Sequence, residues 1–350
     1  MSTEKFKPIK FPQDEQAHSS TIEWWYFNGH LLGEDGKKYA FMDCFFKADS
    51  KKVRIPFLKS LPIKDVYFAH HILSDIGNQK SYKKIDPLCL ISKDSFKKKL
   101  LFVNYTTPVL VGEYFNSEMA ESAPFKYKIK TENFSLELTS KKPPLLEGGN
   151  GFIKVLDKKT HYYSLTSLDT KGEIKIGDKI IKVKGKSWFD HQWADTFYSQ
   201  DKWTWFSLQL DNNAEMVCFQ YGDDKTHARL ASIIFSEGDV FHTSNVDFIN
   251  LKDFWISPDT KTKYPLSWQI KIPELDADFR VEPLIKNQEM TFGFINYWEG
   301  PLKVSGILQG RKVSGQGFLE LVGYLPGVGK VKIIESEILE KIKRLDEFFK

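Results

Sequence analysis

An acid and a base stand side by side among large aromatic rings just past the middle of the chain. The stretch reads Ser187-Trp188-Phe189-Asp190-His191-Gln192-Trp193. An apolar, aromatic environment raises the pKa of a carboxyl group, which then keeps its proton until it is used. An imidazole can return a proton or activate water near neutral pH. Asp190 as acid and His191 as base would suit proton chemistry on an apolar molecule.

The strand character of this stretch limits that hypothesis. Adjacent side chains on a strand point to opposite faces, so Asp190 and His191 share a pocket only if a bulge or turn intervenes. If only one of them faces the pocket, we expect it to be Asp190. The alternative is that both hold a packed junction through hydrogen bonds.

A second aromatic group near the N-terminus supplies further candidates, in the run Glu23-Trp24-Trp25-Tyr26-Phe27-Asn28-Gly29-His30-Leu31. Strand alternation places Glu23 and Trp25 on one side, and Trp24, Tyr26 and His30 on the other. The π faces of Trp24, Trp25, Trp188 and Trp193 could each stabilise a cationic intermediate by roughly 0.5–2 kcal/mol. The competing interpretation makes the tryptophans core residues and gives Glu23 a buried arginine or backbone amides as partners.

The pattern of the whole chain predicts an all-β protein. Aromatic-rich runs separated by Gly, Asp and Asn turns indicate β-hairpins at residues 21–46 and again at 203–221. The two hairpins align, with Trp24 matching Trp203, Tyr26 matching Trp205, Phe27 matching Phe206, Leu31 matching Leu210, Met42 matching Met216 and Cys44 matching Cys218. This repeat predicts two β-barrel domains, residues 1–198 and 199–350. Apolar residues spaced three and four apart in residues 335–350 predict an amphipathic C-terminal helix.

Composition narrows the class of protein further. Fifty basic and 46 acidic residues give a net charge of only +4, which offers no case for a nucleic-acid partner. Three cysteines without CxxC spacing argue against a disulfide scaffold and a zinc site, and the pair His70-His71 lacks a third ligand at telling spacing. We expect no metal and no cofactor. No run reaches the roughly 20 apolar residues of a membrane span. The sequence as written predicts a cytoplasmic protein, or a periplasmic or secreted one if a leader was removed.

Eight segments in order resemble the AttH-like and carotenoid 1,2-hydratase (CrtC) family. They are Glu23-Trp24-Trp25-Tyr26 with Gly29-His30-Leu31, Tyr67-Phe68-Ala69-His70 with Ser74-Asp75, Lys142-Pro143-Pro144 with Gly149-Asn150-Gly151, Tyr162-Tyr163-Ser164, Trp188-Phe189-Asp190-His191-Gln192-Trp193, Tyr297-Trp298-Glu299-Gly300, Gly315-Gln316-Gly317-Phe318-Leu319-Glu320-Leu321, and Gly323-Tyr324. The likeness covers nearly the whole chain. One departure is Ala194, where the family usually has a glycine after the second Trp.

The resemblance implies two lipocalin-like (calycin-type) barrels in tandem, with an apolar pocket near their junction to which Tyr297 would contribute. Members with assigned chemistry hydrate isolated isoprenoid double bonds, and fungal relatives guide cyclisations of polyenes. The sequence therefore predicts a cofactor-independent hydratase-like or isomerase-like enzyme that acts on a lipophilic, isoprenoid- or polyene-like molecule, with Asp190 as acid. A non-catalytic carrier of such a ligand is the alternative, and a hydrolase of lipophilic esters is disfavoured because no nucleophile motif is present. The ligand's identity and the oligomeric state are left open by the sequence.

Overall fold

The computed structural model describes residues 7–52, 64–86, 88–108, 114–196, 201–223, 225–292 and 295–324. The predicted C-terminal helix at 335–350 and the predicted domain boundary between 198 and 199 lie outside these residues. The described part of the chain is built from strands and three short 3₁₀ turns, at Gln13–Glu15, Glu147–Gly149 and Pro273–Leu275. The predicted all-β fold class is confirmed. In the described residues we find no helix that is long and apolar enough to cross a membrane.

The strands form two large antiparallel sheets and one small hairpin. The first sheet contains β1 (Ile22–Gly33), β2 (Lys38–Asp49), β3 (Asp65–Asp75), β4 (Lys80–Asp86), β5 (Leu90–Ile91), β6 (Phe102–Pro108), β7 (Tyr114–Ala123), β8 (Lys126–Lys130), β9 (Phe134–Ser140), β10 (Leu145–Leu146), β11 (Phe152–Val155), β12 (Lys158–Ile176) and β13 (Lys179–Ala194). The second contains β14 (Trp203–Leu210), β15 (Glu215–Gly222), β16 (His227–Ile234), β17 (Val240–Thr243), β18 (Asp247–Asn250), β21 (Trp268–Ile272), β22 (Ala277–Pro283), β23 (Glu289–Phe292), β24 (Ile295–Leu308) and β25 (Arg311–Val322), and the separate hairpin is β19 (Phe254–Ile256) with β20 (Lys263–Pro265).

The two sheets repeat one connectivity. In the first, β1 pairs with the next strand, β2, and with the last, β13. In the second, β14 pairs in the same way with β15 and with β25. Both predicted hairpins are therefore present, and the sequence repeat corresponds to a repeat in sheet topology.

The return strands of the two hairpins, however, are offset by one residue. Cys44 lies opposite Tyr26, whereas Cys218 lies opposite Phe206, which is the counterpart of Phe27. A shift of one residue turns a side chain to the other face of the sheet. The Met42–Met216 and Cys44–Cys218 matches in the sequence are thus not equivalent positions in the fold.

Buried apolar side chains form three cores. Each curled sheet encloses a core of its own: the first inner core contains Trp25, Phe27 and Phe189, and the second inner core contains Phe206, Tyr264 and Trp298. A third, which we call the central core, is lined by both sheets. Its members include Tyr26, Met42, Phe68, Tyr162, Trp188, Trp205, Phe219, Tyr297 and Phe318. Alternation along β1 and β14 sends one set of aromatics inward and the other toward the opposite sheet.

Strand β13 carries the candidate acid and base without interruption. Its register with β1 is continuous from Val183 to Ala194, so there is no bulge between Asp190 and His191. Ala194 itself lies in the strand, paired with Ile22 and Thr160, and is not among the residues with positive φ. The position therefore accepts alanine, since only a positive φ would favour glycine there.

Strand β12 bends where it meets the second sheet. Its register with β13 shifts between Leu165 and Leu168, which leaves Thr166 and Ser167 in a bulge. The side chain of Gln209 on β14 donates to the carbonyl oxygens of Thr166 and Ser187, at 2.8 and 2.9 Å. The bulge is thus a point where the second sheet binds backbone of the first.

Candidate functional site

Asp190 faces the central core and is held by three side-chain donors. Oδ2 accepts from the Tyr162 hydroxyl at 2.7 Å, and Oδ1 accepts from the Ser164 hydroxyl and Trp188 Nε1, both at 2.6 Å. The Tyr162 oxygen in turn accepts from Trp205 Nε1 of the second sheet at 2.9 Å. The carboxyl group therefore lies where the two sheets meet, in a cage of aromatic and hydroxyl groups.

Burial dominates the chemistry of this carboxyl. Asp190 is 3% exposed, and desolvation raises its pKa to about 7, although the hydrogen bonds from Ser164, Tyr162 and Trp188 act in the opposite direction. Glu147 lies beside it, accepting a 3.2 Å hydrogen bond from Ser164, and its pKa is also raised by burial. Asp190 can thus be present as a neutral acid near neutral pH, as the aromatic sequence context predicted.

The second sheet contributes two more carboxyls to the same region: Glu299, which is buried, and Glu320, which is partly exposed. Glu299 on β24 accepts from the Tyr26 hydroxyl at 2.5 Å, while its other oxygen accepts no hydrogen bond from the described residues. Glu320 on β25 accepts from Trp203 Nε1 at 2.8 Å. Desolvation raises the pKa of both, that of Glu320 to about 7. Repulsion from Glu320 and Asp190 adds to the raised pKa of Glu299, and repulsion from Asp190 adds to that of Glu320. Asp190, Glu299 and Glu320 thus lie around the central core, each with an aromatic partner, and Glu147 lies beside Asp190.

His191 lies on the opposite face of β13, in the first inner core. Its ring stacks on Trp25, with centroids 4.8 Å apart, and its Nε2 donates to Glu23 Oε1 at 3.0 Å. Burial lowers the pKa of His191 to about 4, despite the hydrogen bond to Glu23. His191 is a neutral imidazole there and cannot exchange a proton directly with a molecule at Asp190. The strand argument, which favoured Asp190 as the residue facing the pocket, is consistent with this geometry.

Glu23 joins two histidines. His18 Nδ1 lies 2.7 Å from the same Oε1 that His191 contacts, and His18 stacks on Trp193 with centroids 3.9 Å apart. Burial alone would raise the pKa of Glu23, but hydrogen bonds from His18 and His191 outweigh it and lower the pKa to about 2. Glu23 is therefore an ionised carboxylate whose partners include the two histidine rings and the backbone N–H of His18, which matches the backbone-amide alternative from the sequence and not the arginine.

The predicted site residues accordingly divide between the central core and the first inner core, on opposite faces of the first sheet, and Tyr297 reaches the central core from β24 of the second sheet. Tyr26, Trp188, Asp190 and Tyr297 lie in or at the central core, and Trp24 packs against it. His30 reaches the second sheet, with Nε2 2.9 Å from the Gly317 carbonyl oxygen, and burial lowers its pKa to about 4. The remaining four belong to the first inner core or its polar margin: Glu23, Trp25, His191 and Trp193.

Several residues of these sites were not singled out from the sequence. Tyr162, Ser164, Glu299 and Glu320 all lie in segments that resemble the family, but nothing in the sequence assigned them to Asp190. Period-2 alternation from Tyr162 to Ser164, and from Trp188 to Asp190, was the available signal, because β12 and β13 are neighbours. His18 precedes the first strand and carried no pattern at all.

Comparison with known proteins places the chain among relatives of similar fold. The model of the AttH-like family matches residues 2–324. A curated relative, the dehydratase asqC of Emericella nidulans, is 27% identical over 203 residues, which is 54% of this chain. The match spans 58% of the length of that relative.

Two solved structures share the architecture. The crystal structure of a protein described as AttH (NE1406) from Nitrosomonas europaea has a TM-score of 0.73 and 25% identity, and the match covers 91% of this chain and 98% of that one. The crystal structure of kievitone hydratase from Nectria haematococca has a TM-score of 0.69 and 18% identity, and the match covers 91% of this chain and 94% of that one. At 18% identity the second likeness shows the fold alone.

Proposed function

The chain belongs to the AttH-like family, and from that premise we propose that it is a hydro-lyase-like enzyme, adding water to or removing it from a lipophilic, isoprenoid- or polyene-like substrate bound at the central core. The observation that carries the proposal is the position of Asp190, a buried carboxyl held between Trp188 and Tyr162 where the two sheets meet. The domain division at residues 198 and 199 belongs to the same proposal, with the active site between the domains.

Asp190 acts as the proton donor. In the hydration direction its carboxyl proton passes to an alkene carbon, leaving a carbocation on the more substituted carbon and a carboxylate on the enzyme. Water then forms a bond to that carbon, and the proton it loses restores the acid. Trp188 and Trp205, whose rings lie 6.4 Å apart edge to face, supply π faces that stabilise the cation.

A second proton-carrying group is needed for the attacking or leaving water. The hydrogen-bonded pair of Tyr26 and Glu299 meets that need, because it presents a carboxyl oxygen without a donor among the described residues. Burial raises the pKa of Glu299, so its neutral carboxyl can hold the water by a hydrogen bond while the water's proton returns to the Asp190 carboxylate. We assign the water to the Glu299 side and the carbon-bound proton to the Asp190 side.

The names of the relatives support the reaction class. A dehydratase removes water and a hydratase adds it, which are opposite directions of one type of reaction, and both proteins resemble this chain. The aromatic lining of the central core supports a lipophilic substrate, since apolar sites with a few convergent polar groups bind such molecules.

The test is turnover in ¹⁸O-labelled water of a panel of prenylated and polyene alkenes and their tertiary alcohols, followed by mass spectrometry. We expect label in the alcohol, or its loss from it, and a fall in kcat/KM of about 10²–10⁴-fold in Asp190→Asn. Asp169→Asn is the matched control, since Asp169 lies on neighbouring β12 with its side chain 57% exposed. Equal activity of Asp190→Asn and the wild type would remove Asp190 from the chemistry.

One observation favours a second function, that of a carrier. Both oxygens of Asp190 already accept hydrogen bonds from protein side chains, as expected for a structural carboxyl. A carrier would co-purify with a lipophilic molecule and hold it unchanged in the wild type and in Asp190→Asn alike. Turnover by the wild type alone would exclude this alternative.

A further inference from the structure

Three side-chain atoms of the kinds that bind metal ions, two imidazole nitrogens and one carboxylate oxygen, converge at the polar margin of the first inner core. His18 Nδ1 and His191 Nε2 approach one carboxylate oxygen, Glu23 Oε1, at 2.7 and 3.0 Å, and the three atoms lie within 4.8 Å of one another. Glu23 and His191 are completely buried, whereas His18 is 20% exposed on its side chain. An ion could therefore reach the cluster from the His18 side without crossing the core.

The spacing fits a small divalent ion after modest adjustment. A tetrahedral ion with ligands at 2.0–2.2 Å separates neighbouring ligand atoms by about 3.4 Å. The 2.7 Å between Glu23 and His18 must lengthen by about 0.7 Å, which rotation of the partly exposed His18 side chain can supply. The 3.0 Å between Glu23 and His191 must lengthen by about 0.4 Å, and the two imidazole nitrogens start within 4.8 Å of each other.

The surroundings of His18 are those of a metal-bound imidazole. Its other nitrogen, Nε2, lies 3.3 Å from Asp14 Oδ1. A carboxylate at the far nitrogen of a ligating histidine fixes the tautomer and makes the imidazole a better donor. With Nε2–H directed to Asp14, the Nδ1 lone pair is the one that faces Glu23 and His191.

The carboxylate is arranged to offer a single oxygen. Glu23 Oε2 accepts from the His18 backbone N–H at 2.9 Å and from the Ser20 hydroxyl at 3.2 Å, and Lys47 Nζ lies 3.7 Å away. These donors occupy Oε2 and keep the group anionic. Oε1 also accepts a longer bond from the His18 backbone N–H, at 3.2 Å, and otherwise faces the two histidine rings, or an ion that replaces their protons.

We propose that His18, Glu23 and His191 bind one divalent transition-metal ion of the Zn²⁺ class, with Asp14 as a positioning residue. Two imidazoles and one carboxylate oxygen suit zinc, cobalt or nickel, and do not suit Mg²⁺ or Ca²⁺, which prefer oxygen. The site lies on the face of β13 opposite Asp190, so the inference does not depend on the proposed hydro-lyase activity.

A bound ion would link three segments of the chain. His18 belongs to the chain before the first strand, Glu23 to β1 and His191 to β13. An ion held by all three would fasten the N-terminal segment onto the sheet. Such an ion stabilises the folded protein by a free energy that grows with the logarithm of the ratio of free ion concentration to Kd.

The experiment is metal titration of the full chain after dialysis against a chelator. With ZnCl₂ in a calorimeter we expect one saturable equivalent per chain and a rise in melting temperature, and with CoCl₂ the visible bands of a four- or five-coordinate nitrogen and oxygen site. His18→Ala and Glu23→Gln should abolish the cobalt spectrum. Asp14→Asn should keep it while weakening zinc binding about 10–100-fold.

His161→Ala is the matched control, because His161 stacks in parallel on Trp193, with centroids 5.0 Å apart, as His18 does. This variant should bind zinc as tightly as the wild type. The proposal is overturned if the wild type shows no saturable equivalent, or if His18→Ala binds as tightly as His161→Ala. Neither outcome requires a substrate or bears on turnover, so failure of the metal site is distinguishable from failure of the proposed function.

Discussion

His71 is a charged side chain enclosed in the first sheet, and its partners set its titration. Nδ1 lies 2.7 Å from Asp43 Oδ1, and Nε2 lies 3.4 Å from Asp86 Oδ2 and 3.3 Å from the Tyr105 hydroxyl. Burial alone would lower the pKa of His71, but Asp43 and Asp86 outweigh it and raise the pKa from 6.5 to about 9. A shift of that size corresponds to about 3 kcal/mol of folding stability.

The sign of this shift fixes the pH dependence. Because the pKa is raised in the folded state, the contribution is fully present below about pH 6.5 and is lost as pH rises through about 9. We expect Asp43→Asn to lower the free energy of unfolding by about 2–3 kcal/mol at pH 6 and by much less at pH 9.5. Urea denaturation of both proteins across this range measures it. Parallel pH curves for variant and wild type would contradict the assignment.

At the scale of residues, the sequence predicted which candidates lie on opposite faces of β13 better than it predicted which residues gather around Asp190. Strand alternation alone separated Asp190 from His191, and that separation is what the structure shows. Glu299 and Glu320 could not be assigned to Asp190, because β24 and β25 belong to the other sheet, so their side chains approach Asp190 only through the docking of two sheets. No local periodicity encodes such a contact.

At the scale of elements, the bulge in β12 depends on one side chain from the other sheet. Gln209 is 8% exposed and donates to two carbonyl oxygens, those of Thr166 and Ser187. Gln209→Leu removes both donors inside the protein and should lower the free energy of unfolding by about 2 kcal/mol. Gln269→Leu is the control, because Gln269 donates to Asp278, whose side chain is 44% exposed and can take water instead. Urea denaturation should separate the two variants, and equal midpoints would show that the bulge does not need Gln209.

The elements also show where pattern matching along the chain goes wrong. Both hairpins were predictable from their aromatic runs and turns, but the return strands differ in register by one residue. A match of residue type, such as Cys44 with Cys218, carries no information about face. Pairing distance from the turn decides the face, and the turn geometry was not readable from the sequence.

For the whole molecule, the repeat in the sequence predicted two similar sheets but gave no account of how they bind each other. The central core accounts for part of it, and polar contacts across the junction add to it. Tyr26 donates to Glu299, the His70 ring lies 2.8 Å from the Tyr297 hydroxyl, and Gln288 donates to Ser74 at 2.9 Å. Because these contacts join the sheets at many points, we expect the described parts of both to unfold together.

Lys142 provides the sharpest test of that coupling. Lys142 follows β9 of the first sheet, and its ammonium group reaches the second sheet. It donates to Glu215 Oε2 and to the Asn213 carbonyl oxygen, both at 2.6 Å, and the side chain of Glu215 is only 2% exposed. Lys142→Met leaves the buried Glu215 carboxylate without its cation, which should lower the free energy of unfolding by about 3–5 kcal/mol.

Lys141→Met is the neighbouring control. The pair of Lys141 with Asp169 is more than half exposed, so its loss should lower the free energy of unfolding by under about 1 kcal/mol. Denaturation in urea at pH 7 compares them. Because several other contacts join the sheets, we expect the Lys142→Met variant to keep one unfolding transition at a lower urea concentration. Equal stabilities of the two variants would mean that the Lys142–Glu215 pair adds nothing to the docking of the sheets.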